Sequence, residues 1–156
     1  MNNSATILNL ASIIEHHARL TPEKEAIVWN DVRLTFEQLQ FLSNRVANAL
    51  REMGIGHQDK VALSCPNLPY FPIVYYGILK AGAAVVPLNV LFKPREIAYH
   101  LNDSDAKAVF VFEGTDELPL GASVISIAAS VLARSSIGDC PTAKPRASST
   151  VIRLAL

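Results

Sequence analysis

Between Val61 and Phe112 the chain alternates short, unbroken apolar runs with longer segments of helical spacing. That alternation constrains the fold more than any other feature. Val61–Ser64, Ala84–Leu88 and Lys107–Phe112 have the length and apolar density of buried strands. The five consecutive apolar residues of Ala84–Leu88 suit a strand covered on both faces. Tyr70–Lys80, followed by Gly82, and Lys93–Leu101, with Pro94 in its first turn, read as helices between these strands. Strands alternating with helices in this way predict an α/β fold: an open, mainly parallel sheet with flanking helices and right-handed crossovers.

The residues before Val61 add local structure. Leu10, Ile13, Ile14 and His17/Ala18 follow helical spacing, with Asn9 as N-cap and Pro22 just past the end. Ala26–Trp29 and Arg33–Thr35 are short strands joined by the turn residues Asn30-Asp31. Thr35-Phe36-Glu37-Gln38 then forms a capping box. The helix it opens puts Phe36, Leu39, Leu42, Val46, Leu50 and Met53 on one face and stops at Gly54.

Fourteen basic residues balance fourteen acidic ones, so the charge of a nucleic-acid binder is missing. Cys65 and Cys140 are too few and too far apart for a disulfide framework or a CxxC zinc site. The longest uncharged stretch, Val61–Leu79, is interrupted by Pro66, Asn67, Pro69 and Pro72. Leu118–Ala133 is too short, so no transmembrane segment is expected. The start, Met-Asn-Asn-Ser, has no basic region followed by an apolar block, and the expected location is the cytoplasm.

Composition changes after Phe112. All eleven aromatic residues lie between Trp29 and Phe112, and residues 113–156 are rich in Ser and Ala. Cys140–Thr150 reads as linker. The expected organisation is an informative part, 1–112, and a tail, 113–156, that is poorly structured or weakly packed.

Side chains that could carry chemistry each have a plainer explanation. Cys65 stands at the carboxyl end of a strand, where open α/β sheets place ligands, yet no base can be assigned to it, and a small buried thiol is the expected role. Adjacent His16 and His17 diverge on a helix and cannot share a metal. His100 and Asp103 make one imidazole and one carboxylate at a helix end, and His57 belongs to a turn. Tyr70, Phe71, Tyr75 and Tyr76 are expected in the core, with a wall for an apolar substrate as the alternative. The pairs Glu23/Glu25 and Asp103/Asp105 flank turns. Gly54 and Gly56 follow a helix and precede a strand, the wrong polarity for a phosphate cradle, and no GxxxxGK[ST] occurs. No catalytic, cofactor-binding or metal-binding residue is assigned.

The order of segments nevertheless resembles a known family. LTFEQL (Leu34–Leu39) is similar to the first core motif of the adenylate-forming superfamily, the AMP-binding acyl-CoA synthetases and their relatives. LKAGAAVVPLN (Leu79–Asn89) is a close match to its second core motif. REMGIGHQDKVAL (Arg51–Leu63), Pro66-Asn67 and LFKPREIAYHLNDSDAKAVF (Leu91–Phe110) follow the family's order. The resemblance runs from about Asn9 to Phe112. PLNVLFKPREIAYHL points to fatty-acid and other acyl-CoA ligases, and amino-acid adenylation domains share both motifs. Ala81, Gly82, Ala83 and Ala84 make a small-residue passage from helix to strand, and Pro87 fits a strand end, so these positions are architectural.

The resemblance implies ATP, Mg²⁺ and coenzyme A as the full-length family's cofactors, and carboxylate activation through an acyl-adenylate. It also implies a Ser/Thr/Gly-rich loop ending in lysine to hold the triphosphate, and this chain has none. Gly121-Ala122-Ser123 and Ser148-Ser149-Thr150 lack the glycine spacing and the following lysine. The expectation is an N-terminal piece of such a ligase, inactive alone, arising by truncation or by a frameshift near residues 113–120. A non-catalytic interaction module, pairing with itself or with an intact synthetase, is the alternative. A small independent enzyme on the same sheet has no residue constellation behind it.

Overall fold

A computed structural model describes residues 9–114, 121–135 and 150–154. In chain order the elements are α1 (Ala11–Leu20), β1 (Glu25–Trp29), β2 (Val32–Thr35), α2 (Phe36–Glu52), β3 (Lys60–Ser64), α3 (Tyr70–Ala81), β4 (Ala84–Pro87), α4 (Pro94–Asp103), β5 (Ala108–Phe112), α5 (Ala122–Ser135) and β6 (Thr150–Leu154). Strands β3 to β6 form one parallel sheet in the order β4-β3-β5-β6. The α/β reading with a parallel sheet holds. Among the described residues no helix is long and apolar enough to cross a membrane.

The strands sort their side chains between two helical layers. Val61, Leu63, Phe110 and Phe112 pack with Leu50 of α2 and with Val74 and Ile78 of α3. Ala62, Val109 and Val111 pack with Ile97 and Leu101 of α4 and with Val124 and Ala128 of α5. All five residues of β5 are buried, as a central strand with helices on both faces requires. The matching expectation for Ala84–Leu88 is met only in part. Val85 packs toward the α2/α3 layer and Val86 toward the α4/α5 layer, but Ala84 and Pro87 are exposed. Strand β4 lies at the sheet edge, where Pro87, with no N–H to offer a further neighbour, is tolerated.

Local signals before the sheet are realised closely. The Asn9 side-chain oxygen accepts from the Ala11 N–H at 2.9 Å, and its amide donates to Leu79 O at 2.9 Å, tying the start of α1 to the end of α3. The hairpin β1–β2 turns through Asn30 at φ 48° and packs Ala26, Ile27 and Leu34 around Ile14, Leu39 and Ile73. Both bonds of the Thr35/Gln38 capping box are present. Gly82 ends α3 at φ 90°, a conformation that a Cβ would strain.

The buried stripe of α2 is Leu39, Ser43, Ala47 and Leu50, while Phe36, Leu42, Val46 and Met53 are only partly covered. The stripe turns toward small residues because α3 approaches closely at Gly77. A Cβ there would lie 2.5 Å from Val46 Cβ and 3.0 Å from Ser43 O. Ser43 is fully buried, and its hydroxyl donates to Leu39 O at 2.8 Å, so the polar atom costs little.

Beyond Phe112, where composition predicts weak packing, α5 buries Val124, Ala128 and Val131 against the second layer, and β6 pairs along the whole of β5. Small residues at positions 124, 128 and 131 serve a close helix–sheet contact without an aromatic anchor. The Cys140–Thr150 linker, apart from Thr150, lies outside the described residues.

Asp59 ties the amino ends of the strands together. Its carboxylate pairs with Lys107 and accepts from Gly56 N–H at 2.9 Å, and its carbonyl accepts from Ala84 N–H at 2.7 Å. Burial alone would raise this carboxyl. The Lys107 and Gly56 hydrogen bonds and the charges of Lys107 and Lys60 outweigh burial and hold it below the ordinary carboxylate range.

Two substitutions test this packing. Gly77→Ala should destabilise the protein by about 1–3 kcal/mol in urea unfolding, with Val46→Ala restoring part of the loss. Additive losses in the double variant would contradict the close approach. Asp59→Asn should cost about 1–2 kcal/mol at pH 7. A depressed native pKa stabilises above the unfolded-state pKa and is lost as pH falls through the native one. The curves of variant and wild type should therefore converge below about pH 4, and a gap that persists in acid would refute the role of the charge.

Candidate functional site

Strand β3 is followed by α3 on one face of the sheet, and β5 by α5 on the other. Between these neighbouring strands the winding reverses, which opens a crevice at their carboxyl ends, the place where open α/β sheets hold ligands. Ser64 and Cys65 leave β3 there, Glu113 and Gly114 leave β5, and Arg153 of β6 lies 3.1 Å from Glu113. Ser64 is buried, as is Cys65.

The chemistry that the described residues offer at this crevice is limited. Burial pushes the Cys65 thiol up to about 11, leaving almost no thiolate near neutral pH. Arg153 is engaged by Glu113. The first turn of α3 has lost two N–H donors to Pro69 and Pro72, and Phe71 N–H donates to Leu68 O at 2.9 Å. An anion would find few free donors there. At α4 the orphan Lys93 N–H is already met by Glu96 at 2.7 Å. Gly121 N–H donates to Glu113 O at 3.0 Å, and a Cβ at Gly121 would lie 2.6 Å from Phe112 O, so the start of α5 closes directly on the end of β5. The described residues therefore do not fit a triphosphate and its metal. Among them no three His, Cys, Asp or Glu side chains converge on a metal position.

The other sequence candidates are scattered. His17 stacks on Phe36 with ring centres 4.8 Å apart, and His100 stacks on Phe92 at 4.9 Å. Imidazole as a flat packing surface explains both. His57 is exposed, as are Glu23, Glu25, Asp103 and Asp105. Tyr70, Phe71 and Tyr75 pack against the α2/α3 core, in line with the structural reading of that cluster. Tyr76 instead lines a cleft of about 530 Å³ between α1, the hairpin, α2 and α3, together with His17, Phe36 and Pro72. The Gly56 N–H does hold an anion, but it is the chain's own Asp59.

Sequence reasoning missed one polar knot. The Lys80 ammonium is half-buried between α2 and α3, where it donates to the Gln40 side chain and to Asn44 Oδ1 at 2.8 Å, while Arg51 caps Lys80 O. Burial pulls Lys80 below the ordinary lysine range, against an opposing pull from Glu15. These partners lie 29 to 40 positions away in sequence, and no local pattern announces them. The knot joins α2 to α3.

Comparison with known proteins adds what geometry alone does not give. A family model described as AMP-binding enzyme matches residues 14–151, continuing past Phe112. A medium/long-chain-fatty-acid–CoA/3-oxocholest-4-en-26-oate–CoA ligase of Mycobacterium marinum is 36% identical over 105 residues, covering 67% of this chain and 19% of the ligase. A long-chain-fatty-acid–CoA ligase of Salmonella typhimurium is 38% identical over 104 residues, covering 66% and 18%. The N-terminal domain of FACL13 from Mycobacterium tuberculosis superimposes with a TM-score of 0.73 at 29% identity, covering 94% of this chain and 34% of that domain. The chain spans about a fifth of the length of the curated relatives it matches.

Thiol reactivity tests the crevice. In a Cys140→Ser background, Cys65 of the native protein should react with iodoacetamide at least about 10²-fold more slowly than in urea, given an unfolded thiol pKa of about 8.5. Equal rates, or a faster native reaction, would reveal an activated thiol.

Proposed function

The chain belongs to the AMP-binding enzyme family, and from that premise we propose that it is the cytoplasmic, sheet-forming N-terminal part of a fatty-acid or other acyl-CoA ligase, inactive by itself. Such a ligase activates a carboxylate with ATP, releases pyrophosphate, and transfers the acyl group from the adenylate to coenzyme A. In this reading the family subdomain, expected over residues 1–112 with 113–156 as a poorly structured or weakly packed Ser/Ala-rich tail, extends into that tail as the family match over residues 14–151 does, and ATP, Mg²⁺ and coenzyme A are bound by parts of a ligase that this chain does not supply.

The observation that carries the reading is a likeness joined to a gap. Fatty-acid–CoA ligases match two thirds of the chain, and among the described residues the Lys93 and Gly121 N–H groups near the carboxyl ends of the strands are already paired within the chain. Gripping and polarising phosphates is work for preorganised donors, and losing a single one typically lowers the rate about 10²–10³-fold. Without the whole set, no turnover is expected.

A second reading, a module pairing with itself or with an intact synthetase, is favoured by the exposed apolar side chains. Val28, Val32, Phe41, Leu91 and Tyr99 all lie open, Leu91 at 77%. Where such side chains adjoin in one patch they mark a contact surface.

ATP–pyrophosphate exchange across medium- and long-chain fatty acids, with a full-length ligase as positive control, should stay at the blank for this chain. Measurable acyl-adenylate would overturn the proposal of inactivity. Size-exclusion chromatography with light scattering addresses the second reading: self-association is its expected outcome, and a clean monomer that also ignores an added synthetase would count against it.

A further inference from the structure

We draw no further inference here: the strongest candidate, the cleft of about 530 Å³ between α1, the β1–β2 hairpin, α2 and α3 that His17 and Tyr76 line, is an unpartnered apolar face, and nothing in the structure shows what covers it.

Discussion

The pairing of β3 with β5 is the constraint on which the rest of this molecule depends. Two parallel strands in the middle of a sheet expose alternate side chains to opposite faces, and here nearly all of them are apolar. Val61, Leu63, Phe110 and Phe112 need one helical layer, while Ala62, Val109 and Val111 need another. Parallel connection also demands crossovers, so the helices that return the chain are the ones that cover the faces. Once α3 lies on one side and α5 on the other, the crevice between the carboxyl ends of β3 and β5 follows from the winding alone.

The N-terminal elements join that sheet through a close contact of α2 with α3 and the polar ties around it. Helix α2 precedes β3 in the chain, and besides sending Ala47 and Leu50 into the core beneath β3 and β5 it packs along α3. Gly77 removes the side chain that would hold the helices apart, and Ser43 fills the opposing position with a hydroxyl bonded back into its own helix. Lys80, Gln40, Asn44 and Arg51 then lock the same pair at its rim, and Asn9 brings the start of α1 to the end of α3. A small apolar centre bordered by hydrogen-bonded polar groups resists sliding better than either part could alone.

Much of this architecture was legible in the sequence because its signals are local. The Thr35/Gln38 box, the stop at Gly82 and the buried run Ala108–Phe112 each depend on residues close together in the chain. What escaped was set by partners far away. The stripe on α2 turned toward Ser43 and Ala47 because of Gly77, some thirty positions on, and Ala84–Leu88 looked like an interior strand because apolar content cannot distinguish the centre of a sheet from an edge. Composition reads residues 113–156 as a weakly packed tail for want of aromatics, although Val124, Ala128 and Val131 carry helical spacing that a close contact with β5 can use. The crevice is legible in the placing of Cys65 at a strand's carboxyl end.

The same contrast explains why a family's longest motifs can be architectural. Segments such as Leu79–Asn89 are constrained by packing: a helix must end, a Cβ must be missing at φ 90°, and a strand must begin with residues small enough to enter the sheet. Every position in such a segment is restricted by its neighbours, so the pattern is long and specific. Phosphate and carboxylate chemistry depends instead on a few donors on loops that the sheet merely positions, and the sheet does not need those loops in order to fold. The crevice between β3 and β5 illustrates the separation: Phe112 and Val111 are buried at its base, yet above them Glu113 is engaged by Arg153 and Gly121. A fold of this kind supplies location, and the groups carried at the carboxyl ends of its strands decide the chemistry.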